Sequence, residues 1–375
     1  MPYTVYHLHS DYSLLDSSTK YADYVSLAAA QGMKAIASTE HGIPRGWVEK
    51  KQACDKSGIK FIHGVELYMT ASLSEKVRDN YHVVLLAKNT DGFHELNRLV
   101  GLSTQPDHMY YNNRISFDEF LAISTNIIKI SACIASPLSK LDPSDPWYER
   151  LAKHYDYYEV QHHNAQSQAD YNRRLLQLSR RNNIPLIAGT DTHSASAYKA
   201  DCRGILMDYK GQYYAGEDQF DLTWKTYDEL VNAFETQAAL PRNVYMEAIE
   251  NTNRMADTVD DFKLDTSKKY PVIYGSKEAD EKKLAEITHE KLEAKIASGI
   301  IPPEQADAFR RDCPEELEAF HKTGMSGFML SMAEIISWCR DTGKPIGPCR
   351  GSVGGSRVAY VTDIIDLNPV TYNCV

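Results

Sequence analysis

The chain has 375 residues, 43% hydrophobic and 25% charged, and its 41 Lys and Arg against 51 Asp and Glu give a formal net charge of -10. This is a soluble globular mixture, long enough for two or three domains and for a core without disulfide staples, and it excludes disordered and fibrous chains. The acid excess excludes a uniformly basic nucleic-acid surface, though not a local basic groove or a metal site. No apolar run approaches the ~18 residues of a membrane span, and the opening MPYTVYHLHSDYS lacks the basic and apolar regions of a signal peptide. The seven cysteines are widely spaced with no Cys-x-x-Cys pair, so reduced thiols in a cytoplasmic protein are expected.

In chain order, residues 3–9, 35–39, 61–67, 81–87, 127–132, 157–160 and 186–189 are short runs of β-branched and aromatic residues, and each reads as a strand. Helical patterns lie between them, for example over 21–31, 47–56 and 169–181, with Gly32 and Gly58 placed as helix C-terminal glycines. Strand-then-helix repetition predicts an α/β fold of parallel strands joined by crossover helices, in a barrel or an open sheet. His, Asp and Glu at the strand ends favour the barrel, whose chemistry collects at its C-terminal rim. Residues 267–275 are polar, contain Pro271 and read as a linker, which divides the chain into 1–265 and 266–375. Beyond it, Leu284, Ile287, Leu292 and Ile296 share one helical face, and Phe328, Met332, Ile335, Ile336 and Cys339 share another; both stripes are expected to pack inward.

The strand ends carry the chemistry. His7 and His9 lie two apart at the end of the first strand, so both imidazoles leave the same face. Asp16 follows in the first loop, His41 follows the second strand, and Glu66 lies near the end of the third. His82 starts the fourth strand, Cys133 ends the fifth, and Asp191 and His193 end the seventh, again two apart. Singly, each has an ordinary structural reading, as a hydrogen-bonded histidine, a surface charge or a small buried thiol. Their recurrence is what argues for a site. Imidazole, carboxylate and thiolate together suit zinc, manganese or iron better than calcium or magnesium. The number exceeds one tetrahedral ion and fits a cluster of two or three, which promotes in-line attack at phosphorus.

The motifs VYHLHSDYSLLD, STEHG, GVELY, YHVVLLAKNTDGFHEL, ISACIAS and GTDTH resemble, in order, those of polymerase and histidinol phosphatase (PHP) domains. The closest resemblance is to the PHP domain of bacterial DNA polymerase III alpha subunits, the family C polymerases. It implies a distorted seven-stranded β/α barrel with a trinuclear metal site, in which His7, His9, Asp16, His41, Glu66, His82, Cys133, Asp191 and His193 match the nine ligand positions. By analogy, Glu66 and Asp191 are the bridging, catalytic carboxylates. Arg203, soon after GTDTH, is a candidate for positioning phosphate.

Residues from about 266 onward resemble the start of the same family's nucleotidyltransferase-like palm, mostly helical. A Gly-Ser pair at a helix start can offer backbone N–H groups to phosphate. The resemblance places Arg350, Gly351, Ser352, Gly355 and Ser356 beside the incoming nucleotide. Cys349 stands where the family usually has glycine, and would be strained if that position needs positive φ. The chain stops at Val375, before the family's palm aspartates, so this polypeptide alone is not expected to polymerise DNA. The expected function is a metal-dependent 3′–5′ exonuclease with a proofreading role, within a replicative polymerase that would use magnesium for synthesis. DNA is the expected partner, with dNTP, an exonuclease subunit and a sliding clamp in the full-length parent. One alternative is a metal-stabilised structural and interaction module without turnover. The other is a small-molecule phosphoesterase of the histidinol phosphatase type.

Overall fold

The computed structural model describes residues 2–211, 219–263, 265–349 and 351–374. The chain divides into two compact units, Met1–Lys263 and Leu264–Val375. The first is α/β and the second is helical.

In the first unit, helix α1 (Tyr21–Ala30) precedes β1 (Ala35–Ser38), and α2 (Trp47–Lys56) precedes β2 (Lys60–Thr70) and β3 (Tyr81–Ala87). Helix α3 (Thr90–Ser103) leads to the short strands β4 (Met109–Tyr110) and β5 (Asn112–Ser116), then to α4 (Phe117–Leu121) and β6 (Ile127–Ile130). Helices α5 (Pro137–Lys140) and α6 (Pro146–Ala152) precede β7 (Tyr158–Gln161), and α7 (Gln166–Asn182) precedes β8 (Leu186–Gly189). Helices α8 (Ala197–Lys210), α9 (Tyr227–Gln237) and α10 (Arg242–Asp257) complete the unit.

Among the described residues the ladders form a six-stranded and a two-stranded sheet, not one continuous closed sheet. Single parallel bridges join the pieces: Val5 to Ile36, Ile130 to Tyr157, and Leu8 to Thr192. The first predicted strand is thus held by isolated bridges and not by a ladder. The expectation of parallel strands throughout needs correction. Strand β3 runs antiparallel to both β2 and β6. The chain from β2 to β3 contains no helix among its turns, so it lacks the crossover that a parallel pair requires.

Strand alternation sorts the core. Val5, Ile36, Phe61, Val65, Val83 and Leu85 pack with the surrounding helices. Tyr6, Ala37, Ile62, Val84, Leu86, Ile130 and Ile187 point the other way, into a smaller cluster closed by Met255 and Ala256 at the end of α10 and by Val259 just after it. Glu66 shares the face of Ile62, and His82 that of Val84 and Leu86, because side chains repeat every second residue. The inner face is therefore an apolar plug continued by metal-capable residues. Gly64 lies on that face where a Cβ would meet the Leu85 carbonyl at 2.8 Å.

The second unit contains α11 (Lys277–Ala297), α12 (Ala306–Thr323), α13 (Ser326–Asp341) and α14 (Arg357–Val361). Leu284 and Leu292 of α11 pack with Phe309, Cys313, Met329, Leu330, Val358 and Val361, with Ile287 and Ile296 partly buried against them. Buried Asp280 accepts the backbone N–H groups of Ile273 and Tyr274, pinning the end of the predicted linker to the start of α11. The second stripe needs correction. On α13 the core contacts come from Met329 and Leu330, with Met332 of the stripe partly buried against them, while Phe328 and Ile335 are 39% and 52% exposed. A sequence stripe does not show which side of a helix finds a partner.

Candidate metal centre

All nine candidate residues meet through one run of contacts. The 3–9 segment places His7 and His9 between β1 and the end of β8. His41 follows β1 and bridges directly to Glu66 in the middle of β2. One Glu66 oxygen lies 2.8 Å from His82 Nδ1, 3.2 Å from His7 Nε2 and 3.9 Å from the Cys133 sulfur. The other lies 2.8 Å from His41 Nδ1 and 3.4 Å from His9 Nε2. Asp191 Oδ1 stands 3.3 Å from His7 Nε2 and 3.4 Å from His9 Nε2. Asp16 Oδ2 meets Nε2 of His41 at 2.8 Å and Nε2 of His193 at 3.2 Å.

Three overlapping groups could each hold a metal ion: His9, His41 and His193; His7, His9 and Glu66; and Glu66, His82 and Cys133. Within each group the ligand atoms lie within 4.8 Å of one another. The floor is closed, with His7, His9 and Glu66 essentially inaccessible, while the side chains of His41 and His82 are 22% and 21% exposed. The cluster thus has an open end from which a substrate could approach.

The donor set fits a cation. His7 Nε2, His9 Nε2, His41 Nδ1, Glu66 Oε2 and Asp191 Oδ1 are buried and make no hydrogen bond. Buried polar atoms are otherwise nearly always paired. Burial opposes charge on His7, but Asp191, Glu159 and Glu66 outweigh it and hold the imidazole well above its usual range. Burial also opposes charge on His41, where a hydrogen bond to Asp16 and the adjacent Glu66 carboxylate raise its pKa to about 10. On His9, burial is joined by repulsion from His41 and His193, and the pKa falls to about 3. Burial and the Asp191 charge push the Cys133 thiol up, so a thiolate there requires a neighbouring cation. Asp191 adopts a left-handed backbone, φ 46°. Such a conformation in a non-glycine residue marks strain of the kind found at functional sites.

Residues 6–178 match the family model described as the PHP domain, and residues 282–375 match that of the bacterial DNA polymerase III alpha NTPase domain. The DNA polymerase III alpha subunit of Borreliella burgdorferi is 31% identical over 98% of this chain, and that of Aquifex aeolicus 25% identical over 98%. That of Treponema pallidum is 29% identical over 99%.

The chain corresponds to the N-terminal PHP and NTPase-domain region of bacterial DNA polymerase III alpha subunits.

It spans about a third of these relatives' length: 33%, 34% and 33% of the three subunits.

Arg203, the candidate for positioning phosphate, lies against Asp16. Its guanidinium donates to Asp16 Oδ1 at 2.6 Å and to the Asp16 carbonyl at 2.7 Å, so it steadies a candidate ligand. In the glycine-rich stretch, Arg350 lies outside the described residues. Gly351–Gly355 form a 3-10 turn. The left-handed residue there is Gly351, φ 59°, and not Cys349, so cysteine at 349 carries no such strain. The start of α14 at Gly355 and Ser356 is taken by an internal anion. Glu316 accepts the Ser356 hydroxyl at 2.6 Å and the amides of Arg357 and Val358 at 2.9 and 3.1 Å.

Sequence reasoning missed the carboxylates behind the candidate ligands. Glu159 on β7 accepts His7 Nδ1–H at 2.7 Å, and Glu40 at the end of β1 anchors a buried network below His9. The available signal was an acidic residue inside or directly after a strand whose other residues are buried.

Proposed function

We propose that residues 1–265 of this chain form a PHP domain whose strand segments make a distorted seven-stranded barrel. In this reading His7, His9, Asp16, His41, Glu66, His82, Cys133, Asp191 and His193 hold two or three divalent ions. The domain hydrolyses DNA from the 3′ end and serves proofreading during replication. Residues 266–375 are the start of the palm, with Gly351, Ser352, Gly355 and Ser356 near the nucleotide. Polymerisation, with its magnesium, dNTP and replisome partners, belongs to the longer polymerase.

The carrying observation is the convergence of buried, unpaired Nε2, Nδ1 and carboxylate oxygens from His7, His9, His41, Glu66 and Asp191. Bound divalent ions would supply Lewis acidity at phosphorus, an acidified water and charge stabilisation for the leaving oxygen. The chain's own part is to fix the ligands. Glu66 spans the group with its two oxygens, Asp191 faces His7 and His9, and Arg203 holds Asp16. The partly exposed His41 and His82 mark where a terminal phosphodiester would enter.

The test is digestion of 3′-labelled single-stranded DNA with manganese or zinc, comparing the full chain with Glu66→Gln. Stepwise release from the 3′ end by wild type, lost in the variant, supports the reading. Equal release by both, or none by wild type, overturns it. A structural role has one observation in its favour: the ligands join the first segment, at His7, to the last strand end, at His193, as a clasp would. Metal removal that lowers thermal stability, in a protein without nuclease activity when loaded, would select that role.

A further inference from the structure

His9 contacts carboxylates through Nε2, and its Nδ1 faces Ser13 Oγ at 3.2 Å. The Ser13 hydroxyl has one proton and two lone pairs. Its proton goes to Glu40 Oε2, at 2.5 Å. That direction is fixed because Glu40 is surrounded by donors: Lys50 Nζ, the Ser10 hydroxyl and the Ser10 backbone N–H at 3.1 Å all point to it. A carboxylate paired with an ammonium only accepts. One Ser13 lone pair receives the backbone N–H of His41 at 3.2 Å. The other is left for His9 Nδ1, which must therefore carry the proton.

We propose that Glu40, acting through Ser13, fixes the His9 ring with its proton on Nδ1 and so presents the Nε2 lone pair toward Glu66 and Asp191. Glu40 and Ser13 are positioning residues for the metal centre. The assignment rests on the metal reading above, but its tautomer claim stands on the hydrogen-bond geometry alone. Glu159 accepts from Nδ1 of His7 in the same way, so a cation that displaced the Nε2 proton of His7 would find that ring already oriented. The His9 lone pair faces two carboxylates, an arrangement relieved by a cation. Ser10, Ser13, Glu40 and Lys50 are all essentially buried, so solvent does not compete for these bonds.

The experiment reads the tautomer and the affinity separately. In metal-free full chain labelled with 15N-histidine, the His9 ring signals are assigned by their loss in His9→Gln. Wild type should show a protonated Nδ1 and a bare Nε2, and Ser13→Ala should lose that bias. Ser17→Ala is the structural control, since the Ser17 hydroxyl donates to the backbone carbonyl of His193, at 2.6 Å, and not to an imidazole. It should lower stability and leave the His9 signals in place. Zinc or manganese affinity should fall ~10–100-fold in Ser13→Ala, the usual cost of losing such a supporting partner. A proton on Nε2 in wild type overturns the assignment, as does an unchanged tautomer or affinity in Ser13→Ala. If wild type binds no metal, the metal reading fails while the tautomer result still decides the relay.

Discussion

Gly189 on β8 leaves room for Glu159 on β7: a Cβ at position 189 would overlap the Glu159 carboxylate. The two strands are parallel, with Glu159 paired to Ile187 and Gly189 to Gln161, so Glu159 stands two residues from Gly189 in register and on the same face. The missing side chain is what lets the carboxylate reach His7 Nδ1. Gly189→Ala is expected to cost about 1–3 kcal/mol by overpacking. It should also weaken metal binding by displacing Glu159. Denaturant unfolding and metal titration of the same preparation check both effects.

Metal removal should destabilise the first unit. Ligands from the 3–9 segment through His193 are held together by charge that only cations neutralise. A metal at ~100 times its Kd adds about 2.7 kcal/mol to a folded state that alone binds it. Chelation should therefore lower Tm, and adding zinc or manganese back should restore it. A scan unchanged by chelator would contradict the expectation.

Arg203→Ala distinguishes a support for Asp16 from a phosphate contact. With its grip on Asp16, the structure favours weaker metal binding, by ~10-fold. At saturating metal the KM for DNA should stay near the wild-type value. A raised KM with unchanged metal affinity would restore the phosphate role.

His63 gives a pH dependence away from the proposed ligands. Burial lowers its pKa from 6.5 to about 4, with a hydrogen bond to Asn97 opposing. The unfolded chain therefore binds more protons than the folded one across that window. Stability should fall as pH drops from 6.5 toward 4, by at most about 1.4 kcal/mol per pH unit for one proton. The slope difference between wild type and His63→Gln in urea unfolding isolates this group from the other buried histidines.

In the second unit, Glu316→Ala removes the acceptor of three bonds at the start of α14. A loss of about 2 kcal/mol is expected, given hydrogen bonds to a charged group. Denaturant unfolding of wild type and variant measures it.

The candidate ligands were legible because strand periodicity is simple. His7 with His9, and Asp191 with His193, announce themselves by spacing and position at strand ends. Helix α2 begins and ends at residues 47 and 56, as its pattern predicts. The direction of β3 was not legible, since a seven-residue apolar strand reads the same either way. Glu40 and Glu159 were missed because a carboxylate reads as a surface charge until its partners, Lys50 and His7, are placed in space. The contact of Arg203 with Asp16 likewise shows only once the two are placed in space. Helix α13 shows the opposite failure, a stripe of which Met332 packs inward while Phe328 and Ile335 stay exposed.

Glu66 turns the two sides of the cluster toward one shared charge. One oxygen faces His7, His82 and Cys133, and the other faces His9 and His41. A cation drawn to one side withdraws electron density from the other, so loading should be anti-cooperative and ordered. The last ion to enter would bind most weakly and exchange fastest. A preparation could then retain its tightest ion through dialysis yet lose turnover, with activity following the most labile occupant and not total metal content.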